Sequence, residues 1–142
     1  MADTAQQYAP CDNTADHLQQ DALDALRSVL GADAFAAIVQ NYLDDVEASV
    51  SCICACAQVS AEDRDTVQKL IEAAHDLKGC SGQIGAHRLN AMALELETAC
   101  KRTMAGDRAQ FHRVAEIQSR LSGEFATVRA LIEAATASAG GH

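Results

Sequence analysis

The single proline of this chain lies at position 10, and nothing after it forbids continuous helix. Proline removes an amide donor and clashes with the preceding turn, so beyond position 10 only isolated glycines can interrupt a helical run. Good helix formers, Ala, Leu and Glu, are plentiful. Aromatic residues make up only 4% of the chain, so its core must be built from tightly packed aliphatic side chains. With 142 residues there is room for one domain with a sizeable core, and too little for two catalytic domains.

Apolar residues recur at helical spacing in five stretches. Residues 1–15 are polar, broken by Pro10 and Asn13-Thr14, and are expected to be flexible. Asp16 can cap a first helix, with Gln19 at the reciprocal position and a short apolar face of Leu18, Ala22, Ala25, Leu26 and Val29, ending at Leu30-Gly31. That helix reads as a flap on a bundle. A second spans 32–57, with Phe35, Ile38, Val39, Tyr42, Val46, Val50, Ile53 and Ala57 inward. A third begins at Ser60, with Asp63 completing an approximate capping box, and runs to Ile84, where Gly85 marks a turn. A fourth spans 86–105 with Leu89, Met92, Ala93, Leu96, Ala99 and Cys100 inward, and Glu97 four residues before Lys101. The fifth follows Gly106, with Asp107 and Gln110 as a capping box and Phe111, Val114, Leu121, Phe125, Val128, Ile132 and Ala135 inward, to about residue 137. Residues 138–142 are expected to fray. These stretches predict an all-α fold: an antiparallel up-and-down four-helix bundle with an additional short N-terminal helix, the domain spanning 16–137.

The formal net charge is -9, unevenly distributed. Residues 1–60 carry nine acids against Arg27 alone, whereas residues 61–142 carry eleven acids against ten bases. No basic stripe exists to neutralise phosphates, which argues against a nucleic-acid surface. No apolar run is long enough to span a membrane, and Met1 to Ala15 lacks the form of a secretory signal. Three of the six cysteines, Cys52, Cys54 and Cys56, fall inside a helical pattern, which fits free thiols in a reducing cytoplasm better than a disulfide framework.

The third helix carries the chemistry. Along His75-Asp76-Leu77-Lys78-Gly79-Cys80-Ser81-Gly82-Gln83-Ile84-Gly85, the core sector is Val67, Leu70, Ile71, Ala74, Leu77, Ser81 and Ile84. His75 lies at the edge of that sector, with Lys78 one turn on and Gly79 and Gly82 beside it. A neutral imidazole is a good nucleophile toward phosphorus, an ammonium can meet arriving phosphoryl oxygens, and missing side chains give a donor protein room. Gly79 is the sharpest of these signals, because glycine inside a helix costs about 1 kcal/mol relative to alanine. A structural histidine beside glycines that let helices pack closely fits the same pattern.

The segment His75-Asp76-Leu77-Lys78-Gly79, followed by Ile84-Gly85-Ala86 and Leu89, resembles the signature of histidine-containing phosphotransfer (HPt) domains. Gly31-Ala32-Asp33 with Phe35 and Leu43, and Leu94-Glu95-Leu96-Glu97 after the site, are also similar to that family. The likeness covers roughly residues 16–136. It implies a phosphorelay intermediate in which Nε2 of His75 accepts a phosphoryl group from a receiver-domain phosphoaspartate and passes it to another receiver's aspartate. Lys78 would assist electrostatically and Gly79 would keep the ring accessible, with Gly82, Gln83 and His87 in the receiver-binding surface. The resemblance also implies no ATP, cofactor or metal on this chain, Mg²⁺ being held by the partner receiver. The partners would be receiver domains of response regulators and hybrid histidine kinases, met by a monomer. Cys80-Ser81-Gly82 departs from the small residues usual in the family, and Cys80 points away from Gly82, so its thiol is not expected at the phosphoryl site.

Other readings compete. Cys52 and Cys56 share a helical side while Cys54 points away, so a zinc site would need Cys80, Cys100 or His112 from other helices. His17, His87, His112 and His142 read as surface residues. Glu95 and Glu97, two apart, do not face each other, which argues against a paired-carboxylate hydrolase. The rival from another class is a non-catalytic helical adaptor that binds receiver domains or a histidine kinase without carrying phosphate.

Overall fold

The computed structural model describes residues 17–56 and 58–140, the last three by backbone alone. It contains α1 (Gln20–Leu30), α2 (Ala32–Ala55), α3 (Arg64–Gln83), α4 (His87–Met104) and α5 (His112–Gly140), with no strand among the described residues. The expected looseness of residues 1–15, the Asp16 cap, the inward placement of Ala57 and the fraying of 141–142 lie outside the described residues. The backbone of α5 stays helical to Gly140, past the expected end near 137.

Helix starts depart from the capping pattern in instructive ways. Asp63 is itself the N-cap of α3: its Oδ1 accepts from the Thr66 amide at 3.2 Å and its Oδ2 from the Thr66 hydroxyl at 2.7 Å. Those bonds from Thr66 hold the Asp63 carboxyl below its ordinary value. Ser60 serves the preceding turn instead, donating to Glu62 at 2.9 Å. Asp107 accepts from the Ala109 amide at 3.1 Å, a local turn ahead of α5, so Phe111 precedes the helix rather than lying in it. In α1 the buried side chain is Leu23, with Leu18 buried just upstream, whereas Val29 is 82% exposed. The helix begins at Gln20, later than the Asp16 cap implied, and its inward phase follows Leu23, Leu26 and Leu30.

One aliphatic core joins all five helices. Leu70, Ala74 and Leu77 of α3 and Leu89, Ala93 and Leu96 of α4 are fully buried, and α3 packs on both α2 and α4. Each fully buried leucine stabilises the fold by about 2 kcal/mol through removal of apolar surface from water. Close packing on α5 is locked by Gln118, whose amide donates to the Ile53 and Cys56 carbonyls at 2.9 and 3.1 Å. Ile53 lies in the last turn of α2 and Cys56 is its C-cap, and the Ile53 carbonyl also accepts from the Cys56 amide at 3.2 Å.

The turn after α3 carries the N-terminal segment. Gly85 has φ +75°, and a Cβ there would lie 3.0 Å from both the Ala22 Cβ and the Gln19 carbonyl oxygen. Its own carbonyl accepts from the Gln19 amide at 2.8 Å. His17 is not the surface residue expected: it is buried, with Nδ1 2.6 Å from Glu124 Oε2 on α5. A buried polar pair this close satisfies both groups and ties the segment down.

Gly79 within α3 and Gly85 in the turn after it should therefore respond oppositely to alanine. Gly85→Ala forces a side chain into a left-handed backbone and a closed contact, and is expected to destabilise the domain by at least about 1 kcal/mol in urea unfolding. Gly79→Ala, helical and open, is expected to stabilise by up to about 1 kcal/mol. A neutral Gly85→Ala would contradict the described seat of α1.

Candidate functional site

Ala74 and Leu77 are fully buried, yet His75 between them keeps 66% of its side chain exposed. This follows from its position at the margin of the apolar sector: the neighbours anchor α3 while the imidazole stands outside. Its Nδ1 lies 3.1 Å from Oε2 of Glu97 on α4. Lys78 donates to Oε1 of the same carboxylate at 2.7 Å, and Lys101 approaches Oε2 at 3.2 Å.

Glu97 is the hub. Its side chain is only 3% exposed. Burial alone would raise its carboxyl, but hydrogen bonds from Lys78, Lys101 and His75, with the charge of Lys78, bring it down to about 2. A carboxylate in that state only accepts hydrogen bonds. Nδ1 of His75 must therefore carry its hydrogen to make the bond, and in the neutral ring the lone pair is left on Nε2, away from Glu97. The Lys78 ammonium is held in place by this bond to Glu97. Sequence spacing pairs Glu97 with Lys101 but assigns neither to the site, although the signal exists: Glu97 falls between Ala93 and Cys100 on the buried face of α4, where an acid needs a reason.

The space around the ring is open. A Cβ at Gly79 would meet nothing within 4 Å. Gly82 differs: a Cβ there would lie 3.3 Å from the Asn90 amide nitrogen, which itself donates to the Lys78 carbonyl at 2.7 Å. Gly82 thus serves the close approach of α3 and α4 as well as the surface. On the other side of His75, a furrow of about 500 Å³ runs between α2 and α3. Tyr42, Asp45 and Ser49 line it from α2, and Asp76, Gly79, Cys80 and Gln83 from α3. Gln83, assigned by sequence to the far end of the surface, shares this furrow with His75; His87 is half-buried and does not line it. Cys80 also lines it, contrary to the expectation that its thiol points elsewhere.

Burial pushes up the thiols of Cys56, Cys80 and Cys100, the last to about 11, which keeps them protonated at neutral pH. Among the described residues no group of three or more His, Cys, Asp or Glu side chains could hold a metal ion.

The carboxyl of Glu97 makes an acid-stability prediction. Its folded value lies below its ordinary value of 4.5, so it stabilises the fold above pH 4.5 and that contribution disappears as pH falls toward about 2. With the donors partly in solvent, the effect is on the order of 2–3 kcal/mol. Urea unfolding across this range should show wild type losing that much more stability than Glu97→Gln. Parallel curves would mean that the carboxylate is not held by its neighbours.

Comparison with curated proteins and with solved structures gives no match. The family described as the Hpt domain matches residues 4–137, nearly the whole chain. With its described residues forming a helical fold and an exposed histidine on α3, this chain belongs to the Hpt domain family, whose members serve phosphotransfer in two-component signalling.

Proposed function

We infer that this protein is a phosphorelay intermediate that accepts a phosphoryl group on Nε2 of His75 from the phosphoaspartate of one receiver domain and delivers it to the aspartate of another. The observation that carries this reading is the two-thirds-exposed His75 ring, clasped through Nδ1 by a buried carboxylate and flanked by the open space at Gly79.

In the forward step the Nε2 lone pair attacks phosphorus, the P–O bond to the receiver's aspartate breaks, and its electrons leave with the carboxylate. No proton need leave Nε2, because the ring hydrogen sits on Nδ1. As phosphorus bonds, the ring gains positive character, and Glu97 faces that charge from the other nitrogen. Lys78 and Lys101, gathered at Glu97, place positive charge near the incoming oxygens. Mg²⁺ belongs to the receiver in this scheme, and no residue of this chain is assigned to it. Gly82 and Gln83 are assigned to the receiver-facing surface; His87, away from the furrow, is assigned at most to its rim.

The same reading takes α2–α5 as an antiparallel up-and-down bundle. In support, Arg64 reaches the Met104 carbonyl at one end of α3 and α4, and Gly82 meets Asn90 at the other. We place the protein in the cytoplasm as a monomer, where free thiols and receiver partners coincide. No helix among the described residues is long and apolar enough to cross a membrane.

Incubation with a receiver domain radiolabelled on its aspartate should put acid-labile label on this protein, and His75→Gln should abolish it. Lys78→Ala is expected to slow transfer about tenfold or more and, by taking a donor from the buried Glu97 carboxylate, to lower the unfolding midpoint as well, whereas Lys78→Arg, which keeps the charge, should retain most of the stability. Gly79→Leu should keep or raise stability yet slow transfer by blocking approach. Label that persists in His75→Gln would move the site; receiver binding without label would favour an adaptor.

A further inference from the structure

The two flanks of His75 carry opposite charge. On the α4 side, Lys78 and Lys101 share the single carboxylate of Glu97. On the α2 side, Asp45 and Asp76 face the furrow from opposite walls, both exposed. Neither of these side chains has an ion-pair or hydrogen-bond partner among the described residues. Both carboxylates act on the same point: after burial, they are the groups that push up the Cys80 thiol between them. The furrow floor there is small, formed by Ala48, Ser49, Gly79 and Cys80. It continues along α2 and α3 past Cys52, where Lys69 and Glu72 bring one charge of each sign.

Two unpaired acids over a small-residue floor suit the stem and head of a lysine or arginine, whose methylenes lie on apolar surface while the charge reaches the carboxylates. The phosphoaspartate is anionic and finds its complement on the lysine flank. A receiver turned halfway round would set its phosphate against Asp45 and Asp76 and lose both matches.

We propose that Asp45 and Asp76 form the orientation and specificity element of this docking face, seating a basic side chain of the receiver in the α2/α3 furrow while its phosphoaspartate lies toward Lys78 and Lys101. This rests on the phosphotransfer reading and names which receivers the site selects: those with an exposed lysine or arginine beside the phosphorylation site. The two aspartates are positioning residues, since neither reaches the ring nitrogen that reacts.

The test uses the full chain and a panel of isolated receiver domains phosphorylated with acetyl phosphate and Mg²⁺. Asp45→Asn and Asp76→Asn should each raise the half-saturating receiver concentration about tenfold at low salt, an effect that shrinks as salt rises. The maximal transfer rate should change far less, which separates docking from chemistry. Asp76→Lys should weaken binding further, and a glutamate replacing the receiver's basic residue should restore it. Both helix positions are exposed, so circular dichroism melts of the Asn variants should match wild type and exclude unfolding. Transfer to wild type with unchanged half-saturation in both Asn variants would overturn this proposal alone. Absence of both binding and transfer across the panel would overturn it together with the phosphotransfer reading.

Discussion

A buried carboxylate is costly to keep charged, and in this protein the cost is offset by three nitrogen donors brought from two helices. Glu97 sits on the inner face of α4 and gathers Lys78, Lys101 and His75 around its two oxygens. Everything distinctive about the site follows from that arrangement. The bond to Nδ1 fixes which nitrogen of the imidazole is free, the lysines place positive charge beside it, and the depth of Glu97 keeps the cluster from swinging with solvent. The register of α3 against α4 is the geometric condition, and the small residues Ala74, Ala93 and Gly82 allow the two helices to approach closely enough for it.

The remainder of the chain holds that register. Gln118 closes the carbonyl end of α2, Asp63 closes the start of α3, and the His17–Glu124 and Gln19–Gly85 contacts seat the N-terminal segment against the turn that follows α3. Under the proposed phosphotransfer, a nucleophile on a rigid helix would need presentation rather than a pocket of its own, and the open flank at Gly79 together with the α2/α3 furrow leaves the His75 ring accessible.

The helical content and the exposed placement of His75 beside an open glycine were legible in the sequence because they rest on local signals. Periodicity gave the inward faces of α2, α3 and α4, and a helical glycine one turn beyond a histidine marked a cleared surface. Less was legible where two distant segments meet. His17 has no feature that announces a partner 107 positions away, and its burial became visible only with Glu124 beside it. Gln118 looks like a surface amide until the end of α2 lies across it. The cap at Asp107/Gln110 illustrates another limit: side chains of the right type at the right spacing also suit turns, and for Asp107 the turn won. Glu97 is the instructive omission. Its spacing to Lys101 pairs the two along α4, as the 3.2 Å contact shows, but only its phase on the apolar stripe of α4 reveals that it points inward.

Nitrogen-15 NMR of the His75 ring reports directly on the hydrogen that this account places at Nδ1. For the neutral side chain, the account predicts a protonated Nδ1, an unprotonated Nε2, and, after reaction with a phosphorylated receiver, phosphorus coupled to Nε2. A ring with its hydrogen on Nε2, or phosphorus attached at Nδ1, would contradict the clasp by Glu97 on which the rest depends.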